Sequence, residues 1–336
     1  MILNGVWVGW GLGDNSKSDM TVKNAKAYMR KMYSSYAGGL ADTNLFDQQM
    51  QDAVKIMQGR LTASGKLVPG GFILGVLDLP TEYAMGFKKK ALPWYVSVEG
   101  HSSSMFIGPV ADTGTQLQGE GRVYHQPTGY DNGAIPFDNN DGVNALAANV
   151  ANCPVDVDLY IGGYSQGMIV VFDYLNKYGI PVNLKGVLMY GNPCRKLNKC
   201  AQWALAWITK TDTHGLDPLK RFGLPGCVDL DAAGIPNEDV YREGDIFAEN
   251  GDDKTSEIKA AVYQAIARGD IFSNPYSIAA EIADLFSVPV EEVIGIVMAI
   301  VSGIEFLATS TNPHYAPYDI TGGVNWLRNL LIKNAA

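Results

Sequence analysis

Val157-Asp158-Leu159-Tyr160-Ile161, then Gly162-Gly163-Tyr164-Ser165-Gln166-Gly167, then Met168-Ile169-Val170-Val171-Phe172 is the stretch whose reading decides the fold. A short apolar run with one alternating polar residue reads as a strand, and Ile169, Phe172 and Leu175 recur at helical spacing. Between them stands Gly-x-Ser-x-Gly, the pattern of a nucleophile elbow, in which a sharp strand-to-helix turn presents a serine hydroxyl. Glycines let the backbone fold tightly there, and the helix N-terminus carries partial positive charge that stabilises a developing anion. The five-residue pattern alone also occurs in ordinary glycine-rich turns. The flanking strand and helix favour the elbow.

Composition bounds the alternatives. The chain has 336 residues, 47% hydrophobic and 18% charged, with a formal net charge of −9. Such a composition buries a core and argues against disorder. The negative balance argues against nucleic acid as the main ligand, since the one basic run, Lys88-Lys89-Lys90, reads as a solvated linker. No basic segment followed by a long apolar stretch opens the sequence, so no secretory signal is visible, and the run Val293 to Ile304 is too short to be a transmembrane segment. We read the chain as made soluble inside a cell. Cys153, Cys194, Cys200 and Cys227 form no zinc spacing; one disulfide, Cys194 to Cys200, or free buried thiols are both open.

Two regions differ in pattern. In residues 1–88, Val22, Ala25, Met29, Met32 and Tyr36 fall at helical spacing, as do Phe46, Met50, Val54 and Met57, with Gly38-Gly39 between and Asp42 or Thr43 as a cap. A third short helix begins near Pro80, with Glu82 in its first turn. This predicts a small helical N-terminal domain. From 89 to 336, Trp94 to Val98, Val157 to Ile161, Val187 to Tyr190 and a run near Val240 read as buried parallel strands alternating with helices. An α/β doubly wound sheet fits, with its site at the strands' carboxyl ends. Residues 250–309 contain no strand pattern. Ile258, Val262, Ala265 and Ile266 form one stripe, Ile278, Ile282 and Leu285 another, and Pro289-Val290-Glu291-Glu292 starts a third helix. This helical insertion is either core packing or a linker acting as a cap over the site; we adopt the cap.

A serine needs a base to accept its proton. There are four histidines, His101, His125, His214 and His314. With such an elbow the order along the chain is serine, acid, histidine, which leaves His214 and His314. His214 has few suitable acids before it, and His314, in the proline-broken Thr311-Asn312-Pro313-His314-Tyr315, is favoured as a mobile loop imidazole; a plain surface histidine is the alternative. Asp245, beyond Gly244, is the expected acid, with Asp239 the main competitor and Glu243 a lesser one. The carboxylate would fix the imidazole tautomer. The backbone N–H of Gln166 is one expected oxyanion donor. A second should come from Glu99-Gly100-His101-Ser102-Ser103-Ser104, with Gly100 and His101 as candidates.

With these residues in place, the segment from about 93 to 336 resembles the cutinase-like serine esterases of the α/β-hydrolase fold, and among them the lysin B family of mycobacteriophages. The matching words are Asn152-Cys153-Pro154, Gly162-Gly163-Tyr164-Ser165-Gln166-Gly167, Tyr190-Gly191-Asn192-Pro193, Gly244-Asp245 and the late His314. The resemblance implies a triad of Ser165, Asp245 and His314, with a helical linker between the last two. It implies hydrolysis of the ester between mycolic acids and arabinogalactan, through an acyl-enzyme and without a metal or organic cofactor. It also implies synthesis in the host cytoplasm and action at the host cell wall and outer mycomembrane. Residues 1–88 resemble a peptidoglycan-binding module, on Phe46, Gln49, Ala53, Val54 and Gln58; a purely structural helical domain is the other reading. The cysteine pair that brackets the aspartate in secreted cutinases is lacking, so no disulfide is carried over. A general cutinase or lipase on simpler esters, and an inactive wall-binding protein, remain as alternatives.

Overall fold

Period-two alternation along neighbouring strands divides the apolar side chains of the sheet between two cores. Val96, Val98, Leu159, Ile161, Val187 and Met189 enter one; Tyr95, Tyr160, Leu188 and Tyr190 enter the other. Both faces are therefore covered, and the strands read as nearly continuous apolar runs because neither side meets water. The computed structural model describes all residues except 4, 90, 135–136, 218–225, 268–274, 306–312, 315 and 336.

Two compact units divide the chain, Met1–Ala91 and Leu92–Ala336. The second carries a five-stranded, all-parallel sheet of β3 (Trp94–Val98), β4 (Tyr124–Pro127), β5 (Leu159–Tyr164), β6 (Leu184–Tyr190) and β7 (Asn237–Val240), in the order β4-β3-β5-β6-β7. Helices α6 (Asn139–Asn152) and α7 (Gln166–Tyr178) contribute to the first core, and α5 (Pro109–Gly119) with α11 (Thr321–Ala335) to the second. This is the α/β-hydrolase arrangement expected. The edge strand β4 has no counterpart in the expectations: Tyr124-His125-Gln126-Pro127 has no apolar run, and its pairing with β3 supplies what its composition does not. Strand β5 lies a little later than predicted, running directly into the serine.

The insertion folds as α8 (Lys254–Ala267), α9 (Pro275–Phe286) and α10 (Val290–Glu305), which pack on one another. Ile258, Val262, Ile282, Ala283 and Val293 are buried in the same core as α6 and α7, so this block contributes to the core. No described helix is long and apolar enough to cross a membrane.

In the first unit, α1 (Thr21–Met32), α2 (Ser34–Ala37), α3 (Gln48–Ala63) and α4 (Leu79–Ala84) follow a short antiparallel pair, β1 (Ile2–Leu3) and β2 (Val6–Trp7). Val22, Ala25, Met29, Phe46, Met50, Val54 and Met57 form its core, whereas Met32 is exposed at the last position of α1. The cap of α3 is Asp47, which accepts the amide of Met50 at 2.9 Å. Asp42 pairs with Lys23 and Arg30 instead, and Thr43 accepts from the buried Lys26. Gln58 is fully buried; its Nε2 lies within hydrogen-bonding distance of Ile73 O, Val76 O and Thr81 Oγ1, and its Oε1 accepts from Gly75. That single amide ties α3 to the loop before α4.

Gly167 admits no side chain, because an added Cβ would sit 2.0 Å from the Val98 carbonyl oxygen. Gly119, at the end of α5, has open space around it. Gly167→Ala should lower unfolding free energy in urea by about 3 kcal/mol, the range of a forced backbone shift, whereas Gly119→Ala should be neutral or slightly stabilising. Equal midpoints for the two variants would contradict the packing described.

Candidate active site

Every residue of the site follows the carboxyl end of a sheet strand or precedes α11. Ser165 comes straight off β5 with φ 53°, a backbone conformation that non-glycine residues rarely adopt. Its amide donates to Tyr190 O at 3.1 Å and its carbonyl accepts from Met168 at 2.9 Å. The elbow glycines serve differently from what the pattern alone suggests, since neither Gly163 nor Gly167 has a positive φ. A Cβ on Gly163 would meet Met168 Sδ at 2.2 Å, and one on Gly167 the β3 backbone. The serine carries the strain and the glycines provide close approach.

His314 Nε2 lies 2.7 Å from Ser165 Oγ, and its Nδ1 lies 2.9 Å from both Asp245 Oδ1 and Oδ2. Both His314 and Asp245 are fully buried, and Ser165 keeps 8% of its surface. Asp245 follows Gly244, whose φ of 81° turns the chain after β7; Oδ1 also accepts the amides of Phe247 and Ala248. An imidazole bonded in this way to a carboxylate has its other nitrogen directed at the hydroxyl. The structure thus brings Ser165, Asp245 and His314 into one chain of hydrogen bonds.

The mobile loop imidazole expected for His314 is instead held on every side. Its ring is stacked on Tyr164, 5.4 Å between centroids, and lies 4.5 Å from Phe247. Tyr164 Oη donates to the His314 carbonyl at 2.7 Å. Arg242 donates to the carbonyls of Pro313, Ala316 and Pro317, with its guanidinium over the ring of Tyr318. Thr311, Asn312 and Tyr315 of this loop lie outside the described residues. Arg242 and Phe247 escape sequence reading because neither belongs to a motif; only nearness to Asp245 hinted at them.

The competing candidates are engaged elsewhere. Asp239, fully buried on β7, accepts from Asn192 Nδ2 at 2.8 Å, and burial pushes its carboxyl up to about 7 against the pull of Arg195. Glu243 accepts from the amide and hydroxyl of Thr209. His214 pairs with Asp252 at 3.1 Å and His125 with Ser97 at 2.8 Å, the latter ring held down to about 4 by burial. All four cysteines are free thiols.

The expected oxyanion residues gather at the serine. Gln166 opens α7, so its amide is one of the unpaired N–H groups of that helix end. Gly100 packs on the serine, since an added Cβ there would lie 2.8 Å from Ser165 Cβ and 3.4 Å from Oγ. His101, its basicity lowered by burial, lines a small cavity with Ser165, Gln166, Phe137, Phe247 and Tyr263. That cavity holds only about 10 Å³, room for about one water. Tyr263 belongs to α8, so the helical insertion contributes to the wall of this cavity beside the serine.

Glu99 is a buried neighbour without a catalytic part in the expectations. Its Oε1 accepts the amides of Val110 and Ala111 at 3.2 and 2.7 Å, at the start of α5, and burial pushes its carboxyl up to about 8. A folded pKa above the unfolded value means stability present below about pH 4.5 that is lost as pH rises through about 8. In urea, wild type should therefore be less stable at pH 8.5 than at pH 5, and Glu99→Gln should shrink that gap. An unchanged gap would show that Glu99 does not carry it.

Hydrolysis of a p-nitrophenyl ester should separate the roles of Asp245 and Asp239. Asp245→Asn should lower kcat by about 10⁴-fold, while Asp239→Asn should stay within about tenfold of wild type. The reverse order would move the acid to Asp239.

No protein-family model matches the chain. Endolysin B of Mycobacterium phage D29 is 28% identical over 243 residues, which are 65% of this chain and 90% of that protein. Endolysin B of Mycobacterium phage L5 is 27% identical over 266 residues, 71% of this chain and 99% of that protein. The crystal structure of lysin B from mycobacteriophage D29 superposes with a TM-score of 0.56 at 23% identity, covering 71% of this chain and all of that one. An α/β-hydrolase by fold, this chain is homologous to the mycobacteriophage endolysin B proteins.

Proposed function

We propose that this protein is a serine esterase of phage lysis that hydrolyses the ester between mycolic acids and arabinogalactan, with Ser165, His314 and Asp245 as its triad. The observation that carries the reading is His314, with one nitrogen 2.7 Å from a serine on an elbow and the other 2.9 Å from a buried carboxylate. Homology to endolysin B supports the cell-wall substrate.

In the first half-reaction Ser165 Oγ attacks the ester carbonyl carbon while its proton passes to His314 Nε2. Asp245 stabilises the imidazolium and holds its orientation. Negative charge gathers on the former carbonyl oxygen, beside the helix N-terminus at Gln166 and the Gly100-His101 backbone; a single such donor is worth about 10²–10³-fold in rate. Collapse breaks the bond to the sugar oxygen, which takes the proton from His314 and leaves a mycolyl-serine. Water, deprotonated by the same histidine, then attacks the acyl carbon and releases free acid and Ser165. Nothing in these steps calls for a metal or an organic cofactor.

A long acyl chain gains about 0.8 kcal/mol for each methylene removed from water. Phe137, Phe247 and Tyr263 beside the serine, and the exposed Tyr276, Leu285 and Met298 on the helical insertion, offer apolar surface for it. A general cutinase or lipase would share the triad but prefer short or polymeric esters. An inactive wall-binding protein needs a misplaced base or acid, which the hydrogen bonds of His314 argue against.

Purified protein incubated with mycolyl-arabinogalactan should release free mycolic acid, and Ser165→Ala should lose at least about a thousandfold in rate. Rapid turnover of short esters with no mycolate released would move the reading to a general esterase, and an unchanged rate in the variant would reject Ser165 as nucleophile.

A further inference from the structure

A second hollow, of about 410 Å³, opens beside the triad and is far larger than the cavity at Ser165. Ser102-Ser103-Ser104 of the loop after β3 and Asp112 in the first turn of α5 line one part of it; Ala316-Pro317-Tyr318, just beyond His314, line another. Tyr164, stacked on the His314 ring, also lines it, and the Tyr318 hydroxyl lies 3.5 Å from Asp245 Oδ2.

Both loops are fixed before any ligand arrives. Asn132 Nδ2 donates to Gly100 O and to Ser103 O, each at 2.7 Å. Arg242 donates to the carbonyls of Ala316 and Pro317, with its guanidinium over the Tyr318 ring. A preformed hollow within the range of about 300–1,000 Å³ suits a small ligand. Its lining selects the kind. Asp112 is exposed, and among the described residues its carboxylate makes no hydrogen bond or ion pair. No lysine or arginine lines the hollow, so it offers nothing to an anion. A carboxylate only accepts hydrogen bonds, while serine hydroxyls donate and accept. Their complement is a neutral group with several adjacent hydroxyls, a sugar, whose carbon face can lie on Ile107 and Pro317.

The reaction decides which half of an ester belongs here. The leaving alcohol takes its proton from His314 Nε2, so it departs past the histidine, and residues 316–318 follow directly from that histidine. The small cavity of Phe137, Phe247 and Tyr263 is aromatic and suits the acid. We propose that the hollow is the subsite for the alcohol half of the substrate, a sugar, and that Asp112 and the three serines select it. This rests on the reading of the protein as a serine esterase and names the residues that decide its choice of alcohol. The same subsite receives an incoming alcohol when the acyl-enzyme is opened. In that step a sugar hydroxyl oxygen attacks the acyl carbon, its proton passes to His314 Nε2, the bond from carbon to Ser165 Oγ breaks, and Oγ takes that proton.

The test uses the full chain and two soluble esters of butanoic acid, one on the primary hydroxyl of methyl arabinofuranoside and one on pentanol. A site that bonds a substrate hydroxyl rejects the analogue lacking it, so wild type should favour the sugar ester in kcat/KM by at least about tenfold. Asp112→Ala should lose most of that preference, with Asp112→Asn between the two. With p-nitrophenyl butanoate as acyl donor, added methyl arabinofuranoside should be acylated along a saturating curve, and Asp112→Ala should need more sugar to reach half-saturation. Thermal melting of each variant reports its fold. An Asp112→Ala protein that melts like wild type and keeps both the preference and the saturation overturns the subsite. A variant that instead changes the preference between butanoyl and octanoyl groups on one alcohol assigns the hollow to the acid and overturns it too. Wild type that turns over p-nitrophenyl butanoate through Ser165 yet treats the sugar and pentyl esters alike overturns the proposal and leaves the esterase reading intact. Failure to turn over any of the three esters overturns the esterase reading, and the subsite with it.

Discussion

The hydrogen bonds of His314 join residues 149 and 69 positions away in the chain, Ser165 and Asp245, and most of the surrounding architecture exists to keep them at that distance. An imidazole that passes a proton must be fixed in tautomer and in position to within a fraction of an ångström. Asp245 fixes the tautomer. Position comes from Tyr164 and Phe247 against the ring, from the Tyr164 hydroxyl on the His314 carbonyl, and from Arg242, which gathers three carbonyls of the loop. Tyr164 has two duties, since it also precedes the serine, so the elbow and the histidine loop are positioned by one side chain.

The serine's backbone requires equal support. A non-glycine residue in a sparsely populated φ/ψ region costs about 1–3 kcal/mol, and it persists only where neighbours determine it. Here β6 holds the Ser165 amide, α7 holds its carbonyl, and Gly100 and Gly167 let β3 and its following loop press against the turn. Because β5 is central in the sheet, it is fixed by hydrogen-bonded strands on both sides. The loop after β3 is tied down in turn by Glu99, which reaches from its first residue to the amides at the start of α5.

How far the sequence could be read depended on whether a signal was local. Strand, turn and helix around Ser165 were legible because apolar spacing and the Gly-x-Ser-x-Gly word lie within sixteen residues. The stripes of α1 and α3 were legible for the same reason. Strand β4 was not, since an edge strand needs little apolar content and takes its conformation from β3. The cap of α3 was misplaced because Asp42, Thr43 and Asp47 are all competent caps, and the choice falls to the pairing of Asp42 with Lys23 and Arg30 across the unit.

By itself the sequence determined the elements that its own periodicity encodes, the elbow and its serine, and a short set of acids and bases placed after it. Asp245 ranked first among the acids at that level, but Asp239 and Glu243 stayed in competition with it, for all three lie within seven residues at the end of the same strand and carry the same functional group. Only the tertiary structure decided among them, by giving Asp239 to Asn192, Glu243 to Thr209 and Asp245 to His314. The physical reason is that a hydrogen bond depends on separation and direction in space, and neither is written in the number of residues between two side chains.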